Sequence, residues 1–214
     1  MTPEKRSPGE RGKAQPHGEF PHLVVVGTSL GGLAALKTVF SALPAGFPFP
    51  VVAVQHRRPG TEDKLSELLE NVCALPVYEA EDKEPIVPGR IYLAPADYHL
   101  LVDGDHLALS VEEPLGWARP SIDVLFESAA AAHGERVVGV ILTGSNDDGA
   151  RGLAAVKEGG GIAIVQDPST AEAPRMPRAA LDAVEADAVR PLGEIGPFLS
   201  NLSGEERRLD DVRP

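Results

Sequence analysis

Residues 24–40, VVVGTSLGGLAALKTVF, run from an apolar, β-branched stretch through a glycine-rich turn into a helix-period pattern. The turn holds one serine, Ser29, with Gly27 before it and Gly31 and Gly32 after it. Gly27-Thr28-Ser29-Leu30-Gly31 is formally a G-x-S-x-G elbow, a sharp strand-to-helix corner that lifts a serine hydroxyl to the top of a sheet. Three roles fit such a corner: a nucleophile, a phosphate cradle at a helix N-terminus, or a plain tight turn. GTSLGG matches neither G-x-G-x-x-G nor G-x-x-x-x-G-K-S/T, which disfavours a nucleotide-binding role.

Outward from this corner, short apolar runs alternate with amphipathic stretches. LVVVG (23–27), FPVVAVQ (49–55), RIYLAP (90–95), RVVGVILT (136–143) and GIAIVQ (161–166) are brief and bounded by turn residues, the pattern of buried strands. Residues 32–43, 61–72, 121–133, 148–159 and 176–186 carry apolar stripes near a period of 3.6 and are expected as helices. Thr61 and Ser121 are the expected N-caps of two of them. HLLVDGDHLALSV (99–111) places a polar turn between two strand-like arms, a β-hairpin. The alternation predicts an α/β fold: a doubly wound, mostly parallel sheet with helices on both faces and one hairpin. Residues 1–20, polar and broken by Pro3, Pro8 and Pro16, are expected as a disordered tail. Residues 21–202 form the expected domain and 203–214 a flexible C-terminal tail.

Composition narrows the function classes. Lys and Arg number 20 against 32 Asp and Glu, a net charge of −12, so a nucleic-acid backbone or an anionic membrane surface would be repelled. No apolar run is long enough to span a bilayer and the N-terminal stretch lacks a secretory apolar segment, so a cytoplasmic location is expected. Cys73, the single cysteine, permits no intrachain disulfide and is expected to pack as a small hydrophobe. No pair of histidines has helical ligand spacing, so no metal is expected, and nothing implies a cofactor.

In open parallel sheets, chemistry gathers in the loops leaving the carboxyl ends of the strands. Ser29 follows the first strand, His56 follows VVAVQ, and Asp147 and Asp148 follow RVVGVILT across Gly144-Ser145-Asn146. A hydroxyl, an imidazole and a carboxylate at one edge supply what acyl transfer through serine needs: nucleophile, proton acceptor and orienting acid. Each has a plainer role alone: turn residue, polar loop residue, helix cap. Their coincidence at one edge favours the chemical role. The order Ser, His, Asp differs from the Ser, Asp/Glu, His order of α/β-hydrolases. His99, after RIYLAPADY, is the rival to His56, whereas His22 precedes the first strand at the wrong end of the sheet. Trp117 and Arg119, in LGWARPS, are candidates for a wall of the site, with packing against the sheet the commoner role for the tryptophan.

Six segments, in order, resemble the chemotaxis receptor methylesterases (CheB): VVVGTSLGGLAAL, VVAVQHRRPG, RIYLAPADYHLLV, RPSIDVLFESAA, GVILTGSNDDGARG and QDPSTAEAPRMPRAAL. Together they cover roughly residues 22–200. The resemblance implies Ser29 as nucleophile, His56 as its base, and Asp148, the carboxylate directly before the glycine, as the acid. It implies amide donors near Leu30, Gly31 and Ser145 for an oxyanion. The implied activity is hydrolysis of glutamate methyl esters on the cytoplasmic helical domains of chemoreceptors, with deamidation of glutamine by the same chemistry. Two positions depart from the family's pattern: Leu30, often small or hydroxylated, and Ser145, methionine in well-known members. Both bear on which ester is accepted. Family members usually begin with a phosphorylatable receiver domain, and the residues ahead of position 22 leave no room for one, so none is expected in cis. The alternative is a catalytically silent module of the same fold that binds a receptor or a methyltransferase.

Overall fold

The computed structural model describes residues 22–57 and 64–210. The five apolar runs form strands β1 (Leu23–Thr28), β2 (Val51–Gln55), β4 (Ile91–Leu93), β7 (Val137–Ile141) and β8 (Ile162–Gln166). Two short strands absent from the sequence expectation, β3 (Val77–Glu79) and β9 (Ala188–Arg190), close the edges. The result is a seven-stranded parallel sheet ordered β3-β4-β2-β1-β7-β8-β9. The hairpin forms separately as β5 (His99–Asp103) and β6 (His106–Ser110), paired antiparallel.

The strands are apolar on both sides because both faces are covered. The two-residue period sends Leu23 and Val25 to one face and Val24 and Val26 to the other. On the first face they pack with the hairpin and with helices α3 (Ile122–His133), α4 (Ala150–Glu158) and α5 (Arg175–Ala183), through Leu100, Phe126, Leu153 and Ala180. On the second they meet Leu36 and Phe40 of α1 (Gly32–Ser41), Leu69 of α2 (Leu65–Glu70) and Ile195 of α6 (Leu192–Asp210). A fully buried Val, Leu or Phe contributes about 1.5–3 kcal/mol. Exposed ion pairs such as Arg151–Glu127 contribute about 0–1 kcal/mol, so the two apolar layers hold the scaffold.

Helix α6 lies outside the helical stretches read from the sequence, because Gly193, Gly196 and Pro197 disguise it. Ile195 and Leu199 are buried in the second core, and that packing overrides propensity. The helix continues through Asp210, past position 203 where a tail was expected. Thr61 and residues 1–20 lie outside the described residues. Cys73 packs half-buried against the second core, and burial pushes its thiol up to about 11. Among the described residues no helix is long and apolar enough to cross a membrane.

From β1 the chain moves to β2 on one side, and β7 later joins β1 on the other. The carboxyl ends of β2, β1 and β7 therefore lie side by side at the point where the winding reverses, the place such sheets build their sites.

Candidate active site

The ladder continues past the strand ends: the His56 amide donates to the Thr28 carbonyl (3.0 Å) and the Ser29 amide to the Thr143 carbonyl (2.9 Å). These bonds fix the backbones of Ser29 and His56 beside the loop that leaves β7. Ser29 Oγ lies 3.2 Å from His56 Nδ1, and His56 Nε2 lies 2.6 Å from Asp148 Oδ2. An ionised carboxylate only accepts, so Nε2 carries the ring proton and the Nδ1 lone pair faces the serine hydroxyl. The three nominated side chains meet. Asp147, the neighbouring acid, is exposed, and its carbonyl accepts from the Ala150 amide.

Asp148 also serves the start of α3. Its Oδ2 accepts from the Ile122 amide (2.8 Å) and its Oδ1 from the Asp123 amide (3.0 Å) and the Ser121 hydroxyl (2.9 Å). Ser121 does occupy the N-cap position of α3, but its side chain makes no cap bond; the first amides of that helix are taken by Asp148 instead. The service is returned. Asp123, in the first turn of α3, accepts on Oδ1 from the amides of Gly149 (2.9 Å) and Gly152 (2.8 Å) at the start of α4. Two helices thus cap each other through two carboxylates, one of which holds the histidine.

The close approach of α3 to β1 and to the start of α4 needs glycine at two points. A Cβ at Gly27 would lie 2.3 Å from Ile122 Cγ2, and one at Gly149 would lie 2.6 Å from the same methyl. Gly149 also has a φ of 96°, a backbone region that suits glycine. Burial pushes the Asp148 carboxyl up, but hydrogen bonds from His56 and from the Ile122 and Asp123 amides outweigh it and hold the group below the usual carboxylate range. Asp123 goes the other way: burial, aided by the neighbouring Asp148 charge, outweighs the amides of Gly152 and Gly149.

Ser29, Leu30, Gly31, Lys37, His56 and Ser145 line an open groove of about 820 Å³. The amides of Leu30 and Gly31, just ahead of α1, have no acceptor among the described residues and offer donors for developing negative charge. Gln55 was missed from sequence: its Nε2 donates to the carbonyls of Ser29 (2.8 Å) and His56 (3.1 Å), tying the two corners together. The available signal was a polar residue closing an otherwise apolar strand.

The sequence profile of CheB methylesterase matches residues 24–199. The chain belongs to the CheB methylesterase family. The solved CheB methylesterase catalytic domain of Thermotoga maritima is 35% identical, with a TM-score of 0.82, and the match covers 85% of this chain and 98% of that one. A Leptospira interrogans relative is 44% identical over 180 residues, 84% of this chain and 93% of that protein. The protein-glutamate methylesterase/protein-glutamine glutaminase of Symbiobacterium thermophilum is 39% identical over 184 residues, 86% of this chain and 51% of that protein. The chain spans about half the length of such longer relatives. As a CheB methylesterase it is a carboxylic ester hydrolase.

Other nominated residues of this CheB chain take structural places. His99 is 2% exposed; its Nδ1 accepts from the Ser121 amide (3.3 Å) and its Nε2 donates to the Glu113 carbonyl (3.2 Å), so the rival to His56 links the hairpin to α3. Arg119 donates to Asp97 Oδ1 (2.7 Å from Nη2) and to the carbonyls of Val111 and Glu112, clamping a loop. Trp117 does not pack against the sheet. It is fully exposed, at the tip of a two-residue turn closed by paired backbone bonds between Leu115 and Ala118. Among the described residues no group of three or more His, Cys, Asp or Glu is placed to hold a metal ion.

Proposed function

We propose that this chain hydrolyses glutamate γ-methyl esters on the cytoplasmic helical domains of chemoreceptors, releasing methanol, and that it works in the cytoplasm without a cofactor. The supporting observation is the unbroken line of hydrogen bonds from Ser29 through His56 to Asp148 beside an open groove. Relatives named protein-glutamate methylesterase/protein-glutamine glutaminase give the substrate class.

Ser29 Oγ attacks the ester carbonyl carbon while His56 Nδ1 takes its proton. Asp148 keeps the ring in the Nε2–H form and stabilises the imidazolium. The carbonyl oxygen becomes an oxyanion facing the amides of Leu30 and Gly31, with Ser145 at the same groove; one well-placed donor supplies about 3–4 kcal/mol. The carbon–oxygen ester bond then breaks, and the methoxide leaves as methanol with the proton from Nδ1. Water attacks the acyl-enzyme, gives a proton to Nδ1, and the bond to Ser29 breaks as that proton returns to Oγ. The free glutamate, with a pKa of roughly 4.3, ionises at neutral pH and draws the reaction forward. A glutamine carboxamide follows the same course with ammonia leaving. Leu30, 55% exposed, and Ser145 shape the part of the groove that accepts the ester.

Ser29→Ala tests the nucleophile. Methanol release from a methylated receptor fragment is expected to fall by about 10⁴-fold or more, with far-UV circular dichroism unchanged. Release at the wild-type rate overturns the proposal.

A further inference from the structure

Trp117 is the chain's single tryptophan and is 100% exposed. Its backbone sits at φ 72°, after Gly116 at φ 55°, so the turn carries a bulky aromatic in the left-handed region that bulky side chains avoid. The turn is nevertheless firmly held. Leu115 and Ala118 exchange two backbone hydrogen bonds, and Arg119 ties the loop to Asp97 and to the carbonyls of Val111 and Glu112. A costly backbone that holds an indole in water points outward, to something that covers the ring.

The surroundings say what that is. A cavity of about 230 Å³ has Trp117, Arg119, Arg57, Asn146 and His56 in its wall, and His56 also lines the groove of Ser29. Leu30, 55% exposed, and Leu115, 37% exposed, add apolar surface along the same run of walls. Glu112 and Glu113, both exposed, flank the turn on its N-terminal side. The two arginines of that wall are already paired, Arg57 with Glu79 and Arg119 with Asp97. An aromatic knob beside a reactive groove, with two exposed carboxylates just ahead of it in the chain, suits a protein segment with an apolar side chain next to basic ones. It does not suit an anionic lipid surface.

Resting on the ester hydrolysis proposed above, we propose that Trp117 is the substrate-docking residue: its ring packs on an apolar, Lys- or Arg-flanked position of the helical segment that carries the scissile glutamyl ester. The ring touches the substrate away from the reacting atoms and sets the affinity for the protein rather than the chemistry.

Two measurements test this. In Trp117→Asn the ring is lost while the left-handed backbone is relieved, since asparagine tolerates it. For a methylated receptor fragment KM should rise about 10-fold or more, the size of loss expected for a buried aromatic anchor. For a small glutamate γ-methyl ester the loss should be several-fold smaller, and the melting temperature should hold or rise. A kcat/KM on the fragment within about twofold of wild type, or equal losses on both substrates, overturns the proposal. The second measurement is fluorescence of Ser29→Ala mixed with a tryptophan-free methylated fragment. Because the chain has one tryptophan, a blue shift with reduced acrylamide quenching reports the ring being covered. Binding of the fragment with unchanged emission and quenching overturns the proposal, as does a blue shift on vesicles of anionic lipid. The KM comparison does not depend on Ser29 being the nucleophile, so rapid methanol release by Ser29→Ala would remove the proposed mechanism while that comparison still decides Trp117.

Discussion

Position 148 carries one carboxylate with two duties. Oδ2 faces His56 Nε2 and the Ile122 amide, while Oδ1 takes the Asp123 amide and the Ser121 hydroxyl. Asp148→Asn separates these duties. The amide oxygen at the Oδ1 place still accepts from the Asp123 amide and the Ser121 hydroxyl, but the amide nitrogen at the Oδ2 place is a donor, so it gives up the Ile122 amide and cannot accept the Nε2 proton. The ring then favours the tautomer with its proton on Nδ1, facing Ser29, which leaves no base there. We expect kcat for methanol release to fall by about 10³–10⁴-fold with KM little changed and the fold intact. Asp148→Ala removes both duties, so it should lower stability in urea further than Asp148→Asn does, by roughly 0.5–2 kcal/mol in all, the usual cost of a lost helix cap. A full-rate Asp148→Asn enzyme would show that the acid is dispensable.

Elements matter next, because the acid is placed by the way α3 and α4 start. Asp123 accepts from the Gly149 and Gly152 amides, and Gly149 directly follows Asp148. Asp123→Ala frees those amides and loosens the loop that carries Asp148. It should cost roughly 0.5–2 kcal/mol in urea and lower kcat with KM unchanged. Asp123→Asn keeps an acceptor oxygen and should restore most of both. An Ala variant with wild-type kcat would remove the positioning role. This arrangement also shows where the sequence stops being legible. That Ser29, His56 and Asp148 come together was readable because each directly follows, or nearly follows, a β-branched run, and a parallel sheet brings such loops together. The cross-capping was hidden: an acid in the first turn of α3 suits its own helix, and nothing in the sequence says that it reaches into α4. Strands β3 and β9, three residues each, are too short for a period to register. Helix α6 hides behind Gly193, Gly196 and Pro197, and Trp117 contradicts the usual burial of its residue type because a turn holds it outward.

On the scale of the whole molecule, the same carboxylates govern how the fold meets acid. A carboxyl whose folded pKa lies below its unfolded value of about 3.9 adds stability that is present above that value and lost as pH falls through the folded one. Asp148 is such a group: burial opposes, but His56 and two amides prevail. Asp187 is another, where the Ala163 amide and Lys157 outweigh burial. Asp123 has the opposite sign. Burial raises it, so the folded state takes up its proton first and gains relative stability as pH falls from that raised value toward about 3.9. These three groups therefore pull in opposite directions, Asp123 adding support as pH falls toward about 3.9 and Asp148 and Asp187 withdrawing it below that value. Urea midpoints at about pH 7, 4.5 and 3 separate them. Relative to wild type, Asp123→Asn should lose stability over the step from about pH 7 to 4.5, because the compensating uptake of a proton is gone. Asp148→Asn should start from a lower midpoint at neutral pH and show a shallower fall over the step from about pH 4.5 to 3. Parallel curves for wild type and both variants would mean that neither carboxyl changes its proton affinity on folding, and that the acid response belongs to the remaining surface acids of a chain carrying a net charge of −12.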